Sequence, residues 1–263
     1  MPATIWTAQP ATARRRSIKA HILSSSHPQF ATTQWTLVWK AASQAKQDSG
    51  QLALDEVVTR YWQPLYAFAR RKGFSREDAE DATQEFLSRV VDGCFLDEAN
   101  PAKGKFRTYL LTVWQRFLID EYRKMSTAKR GGKVKHYSID FSEGERAWST
   151  LQSDNKQADH IFLISWANNL LGQVETQLRN EFSGERNQVF ETLFPLLTNQ
   201  LTNDRYEQLA SELGLTAGAV KVALHRLRKR YGERLRELVR ETLDDEGDVD
   251  SELSELLTIL TAN

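Results

Sequence analysis

The sequence predicts an all-α chain, folded as two small helical domains joined by a long flexible linker. Three observations predict it. Apolar residues recur at three- and four-residue steps in long segments on both sides of the chain's middle. Between Ser126 and about Asp159 that period is lost, and so long a structureless stretch within one compact domain would be anomalous. In the second half, Leu213-Gly-Leu-Thr216 forms a tight corner between two helical patterns.

Composition bounds the class. The 263 residues are 40% hydrophobic and 27% charged, enough apolar material for one large or two small domains. Thirteen Gly and six Pro are too few for a fibrous or disordered chain. Apolar runs such as Ile161–Ile164 are short, so no membrane insertion is expected. Arg14, Arg15 and Arg16 precede a polar Ser/Thr/His stretch with no secretory h-region. The single cysteine, Cys94, excludes an internal disulfide and fits a cytoplasmic location. Five scattered His and one Cys have no metal-ligand spacing, so neither metal nor cofactor is expected. No nucleophile–base pair or phosphate loop appears, which argues against an enzyme and against a small-molecule substrate.

Residues 1–29 lack an apolar period and are expected to be a disordered N-terminal extension. The first domain is expected over 30–125, opening with Trp35, Leu37, Val38 and Trp39. Leu52, Leu54, Val57, Val58 and Tyr61 predict a helix that Pro64 restarts or kinks and Gly73 ends. Ser75 with Asp78 three residues on predicts the cap of a second helix, whose inner stripe is Ala79, Ala82, Phe86 and Val90. Asp78, Asp81, Glu85 and Ser88 are expected on another face, with Gln84 flanking that group. Asn100-Pro101 and Gly104 mark a loop. A long helix then runs from about Phe106 to Met125, with Phe106, Leu110, Val113, Phe117 and Leu118 as its apolar stripe. The linker is expected over 126–159, the second domain over 160–243, and an acidic tail with a short amphipathic helix over 244–263.

Net charge is zero, but the charges are segregated. Lys103–Lys135 carries a net +8, Lys221–Arg236 a net +6 and Glu237–Glu255 a net −8. Only the local field matters to a polyanion, so two basic blocks in separate domains point to nucleic acid. In the first block Tyr109, Trp114 and Tyr122 are interleaved with Arg107, Arg116 and Lys124. Rings that stack on bases beside cations that meet phosphates suit melted DNA.

The sharpest pattern is Tyr206-Glu-Gln-Leu-Ala-Ser-Glu-Leu-Gly-Leu-Thr-Ala-Gly-Ala-Val-Lys221, a helix-turn-helix. Ala210 is small where two helices cross, Gly214 supplies a left-handed turn, and Thr216 is a natural N-cap. Leu209, Leu213 and Leu215 are expected to fill the space between the helices. Val220, Leu224, Leu227, Tyr231, Leu235 and Leu238 form the inner seam of the second helix. Lys221, Val222, His225 and Arg228 then face outward with Arg226 beside them, a basic face suited to the major groove.

Taken together, three segments of the first half resemble region 2 of the bacterial sigma factors. They are Tyr61-Trp-Gln-Pro-Leu-Tyr-Ala-Phe-Ala-Arg-Arg, Asp78-Ala-Glu-Asp-Ala-Thr-Gln-Glu-Phe-Leu-Ser-Arg and Phe106-Arg-Thr-Tyr-Leu-Leu-Thr-Val. Tyr206–Tyr231 resembles their region 4, and the order, the linker and the missing region 3 resemble the extracytoplasmic-function (ECF) subfamily. The acidic tail resembles an extension that some ECF-like proteins carry.

The resemblance implies a factor that binds core RNA polymerase and promoter DNA to start transcription, with an anti-sigma factor as a candidate further partner. It implies polymerase docking through the Asp78, Asp81, Gln84 and Glu85 helix. It implies reading of the minus-ten element by Lys105, Arg107, Tyr109, Trp114 and Arg116. It implies reading of the minus-thirty-five element by Lys221, Val222, His225 and Arg226, with Thr216 and Arg228 beside them. Two features depart from the family: no Asn lies near Arg116 or Phe117, and Pro195–Asp204 is a longer approach than usual.

Two further expectations remain open at this point. A stand-alone helix-turn-helix regulator binding duplex DNA would need neither the acidic face of the second helix nor the aromatic-basic helix. Val249, Leu253, Leu256, Leu257 and Leu260 would pack the tail helix onto the second domain, or the acidic segment would cover the basic recognition helix.

Overall fold

The structure, a computed structural model, describes residues 48–91, 105–127, 139–152, 156–243 and 248–261. Every regular element among them is helical, and no strand occurs. The chain divides into two compact units, Met1–Trp166 and Ala167–Asn263.

In the first unit, α1 spans Asp48–Arg71 and continues through Pro64. Pro64 removes one backbone donor, yet its ring is buried with Leu65, Tyr66 and Phe68, and packing outweighs the lost bond. The helix stops at Gly73, whose φ of 92° is left-handed. The Phe74 N–H donates to the Ala69 carbonyl at 3.2 Å and the Gly73 N–H to Arg70 at 3.1 Å, which closes the last turn. Helix α2, Arg76–Val91, starts as expected: the Ser75 hydroxyl accepts from the Asp78 N–H at 3.1 Å and donates to the Asp78 carboxylate at 2.7 Å. Its stripe of Ala79, Ala82, Phe86 and Val90 is buried.

Helix α3, Phe106–Thr127, completes an aromatic core. Trp114 stacks on Phe117 with ring centroids 5.6 Å apart, and Phe86 lies 4.8 Å from Trp114. Phe106 meets Tyr61 edge-on at 5.5 Å. Val113, expected on the inner stripe, is only half-buried, and Trp114 takes the central place.

The segment expected to be a linker departs most from expectation. Part of it, Phe141–Leu151, forms helix α4. Asp140 caps it by accepting from the Ser142 N–H at 3.0 Å. Phe141 packs against Trp62 and Tyr66 at 5.4 and 5.3 Å. Gly144 lets the helices close: a Cβ there would lie 2.7 Å from the Trp62 ring. Glu145 accepts from the Tyr66 hydroxyl and, at 3.1 Å, from Arg70, whose guanidinium also lies over the Trp148 ring. Burial and the Glu145 bond both push the Tyr66 phenol well above its ordinary pKa. The start of α5, Ala158–Glu181, also joins this unit: Gln115 donates to Asp159 at 2.9 Å and Arg71 to the Lys156 carbonyl at 2.7 Å. Of the expected linker, 128–138 and 153–155 lie outside the described residues, as do 1–47 with the expected N-terminal extension and opening Trp35–Trp39 cluster.

In the second unit, the rest of α5 buries Leu170, Val174 and Leu178. Short α6, Asn187–Leu193, is flanked by single 3-10 turns at Gly184–Arg186 and Phe194–Leu196. Phe190 joins Phe182 and Phe194 in one aromatic row. Helices α7, Asn203–Leu213, and α8, Ala217–Arg240, form the tight corner. Glu181 accepts from both Arg230 and Arg234 and so ties the end of α5 to α8. Burial alone would raise the Glu181 carboxyl, but the two arginine bonds hold it below the usual carboxylate range.

Helix α9, Val249–Thr261, packs on α8 through Val249, Leu256 and Ile259, and Arg236 pairs with Asp250. The outer face of the first turns of α8 remains exposed, so this helix does not cover it. Residues 244–247 of the acidic run lie outside the described residues.

Candidate nucleic-acid and polymerase interfaces

The corner between α7 and α8 is built by local chemistry. Thr202 caps α7, its hydroxyl accepting from the Arg205 N–H at 3.4 Å. Gly214 ends it with φ 63°, and the Leu215 N–H returns to the Ala210 carbonyl at 2.9 Å. The Thr216 hydroxyl accepts from the Ala219 N–H at 3.2 Å and starts α8. Leu209, Ala210 and Val220 are buried where the helices meet. Leu215 is not: it is 41% exposed, because it follows the left-handed residue and is carried past the crossing.

With Val220, Leu224 and Leu227 inside, Lys221, Val222, His225 and Arg226 project outward, and all four are exposed. Lys221 is steadied from α7. Its ammonium donates to the Asn203 side chain at 3.0 Å and sits 5.0 Å from the Tyr206 ring centre. Asn203 was not anticipated from sequence; its spacing from Lys221, 18 residues, has meaning only once the corner is folded.

Two residues expected beside this face are committed elsewhere. The Thr216 hydroxyl is the N-cap. Arg228 donates to the carbonyls of Leu197 at 2.8 Å and Asn199 at 2.6 Å. It clasps the long approach to α7 and satisfies carbonyls that no helix follows to pair.

On α3 the expected minus-ten residues separate into two groups. Trp114 is fully buried between Phe86 and Phe117, and Arg107 is buried with its guanidinium 4.4 Å from the Trp166 ring centre. Neither presents a side chain to a strand of DNA, which corrects the expectation for both. Lys105 and Tyr109 are half-buried, and Arg116 is exposed. Ile119 and Tyr122 further along are 53% and 68% exposed, large apolar groups that the core does not use. Ile119 was not singled out from sequence, although it lies outside the stripe by period.

On α2, Asp81 is exposed, and Asp78, Gln84 and Glu85 are half-buried beside it. Asp78 is engaged by Ser75, and Glu85 pairs with Arg89 at 2.8 Å one turn on. The buried stripe of the helix needs none of the four. Among the described residues no helix is long and apolar enough to cross a membrane.

No curated protein and no solved structure matches the chain. Residues 57–127, which hold most of α1 and all of α2 and α3, match the family described as Sigma-70 region 2. That family consists of transcription initiation factors and not of enzymes, and its domain binds core RNA polymerase and promoter DNA. Residues 57–127 are thus similar to a sigma region 2 domain, which supports a sigma factor involved in promoter recognition and transcription initiation.

Proposed function

We propose that this chain is a cytoplasmic sigma factor of the ECF type, with the outer face of α2 docking on core polymerase and two basic faces reading the promoter. The observation that carries the reading is a pairing within one chain. A sigma region 2 domain is followed by a helical corner whose second helix exposes Lys221, Val222, His225 and Arg226. In this reading the corner is a helix-turn-helix, and those four residues meet the minus-thirty-five element in the major groove.

Lys105, Tyr109 and Arg116 are the remaining candidates for the minus-ten element. Capture of an unstacked base there would offset a few kcal/mol of unstacking. Asp78, Asp81, Gln84 and Glu85 would form the polymerase contact, with Asp81 the most accessible of them. Catalysis would reside in the polymerase.

The test is binding of the full chain to core RNA polymerase. Asp81→Ala is expected to weaken that binding by about tenfold, the size of one lost charged contact of ~1.4 kcal/mol. Unchanged affinity in Asp81→Ala would show that α2 is not the docking face. A wild-type chain that binds duplex DNA but not core polymerase would favour a stand-alone regulator.

A further inference from the structure

The second unit carries a charged groove that shares only Arg226 with the proposed promoter contacts. It opens between the end of α5 and the flank of α8, with a volume of about 380 Å³. Arg186, Arg226, Lys229 and Arg230 line it against two carboxylates, Glu181 and Glu233.

Those carboxylates are already engaged. Glu181 accepts from Arg230 and Arg234, and Glu233 accepts from Arg230 at 3.4 Å and lies 3.9 Å from Lys229. Lys229 is 72% exposed, so that last pairing holds it only weakly. Arg186 and Arg226 are exposed and make no ion pair among the described residues. One ion-pair network thus fixes the walls of the groove and leaves guanidinium groups from two separate elements facing solvent.

We infer that this groove holds a backbone phosphate of duplex DNA flanking the element that α8 reads. This rests on the proposed promoter reading of α8 and adds a site to it. Arg226 belongs both to the groove and to the outer face with Val222 and His225, so an anion in the groove lies against the same surface. Arg186 comes from the turn before α6, where Gly184 with φ 76° redirects the chain, and it reaches the groove from off the helix. A guanidinium matches a phosphate through two parallel hydrogen bonds. An open groove suits a polymer running through it better than an enclosed small ligand.

The test uses the full chain bound to core RNA polymerase, a promoter duplex and a duplex of random sequence. Affinity is measured across a series of KCl concentrations. Loss of one phosphate contact in Arg186→Ala is expected to reduce the slope of log K against log salt by about 0.9. The variant should therefore lose about three- to fourfold less affinity than wild type between 50 and 200 mM salt, on both duplexes alike. Arg186→Lys should keep the wild-type slope. A wild-type slope in Arg186→Ala, whatever its affinity, would overturn the groove while leaving the promoter reading intact. A wild-type complex with no preference for the promoter duplex would instead overturn the reading of α8 on which the groove rests.

Discussion

Helices α3 and α8 look alike as sequences and behave differently as structures. Each has an apolar stripe and interspersed cations and overlaps a basic block. On α8 the cations of the first turns lie outside, because neighbours bury only one face. On α3 the stripe is wider. Phe86 and Phe117 enclose Trp114, and Trp166 offers a π-face to Arg107, so both leave the surface. An aromatic-basic alternation therefore marks a nucleic-acid surface only where the surrounding helices leave that face uncovered. Of the residues in that alternation, Arg116 and Tyr122 are exposed and Tyr109 is half-buried, whereas Arg107 and Trp114 are inside.

Trp114→Ala is expected to have the largest effect. If the ring is core, the substitution costs about 3–5 kcal/mol, read as a lower denaturant midpoint. A near-neutral result would return Trp114 to the surface. Next comes Gly144→Ala, which forces the Trp62 ring away from α4 and is expected to cost about 1–3 kcal/mol. Rapid amide exchange in 141–151 of that variant, against protection in the wild type, would be its signature. The smallest effects on stability belong to Lys221→Ala and His225→Ala, within about 0.5 kcal/mol, since both side chains are exposed. Both are expected to relax minus-thirty-five preference in a promoter-selection assay, and unchanged preference would remove them from the reading face.

What could be read from sequence was local. Ser75 with Asp78, Gly73, Gly214 and Thr216 act within one or two turns of themselves, so their roles needed no tertiary partner. The inner stripe of α2 was likewise legible from its period. Helix α4 was not. Its contact face is Phe141, Gly144, Glu145 and Trp148, and only two of the four are apolar. The glycine is dictated by the Trp62 ring and the glutamate by Tyr66 and Arg70, all on α1. Such a face scans as polar until its partner is known. The partners of Arg228 were hidden for a related reason: its outward direction follows from the period, but it donates to carbonyls of Leu197 and Asn199, far back in sequence.

In the proposed role, this chain gives a polymerase its choice of promoter. The most direct measurement is in vitro transcription from fragmented genomic DNA by core RNA polymerase, with and without the purified chain. Discrete new transcripts with shared upstream elements are the predicted result. Transcripts identical in number and start point with and without the chain would contradict it.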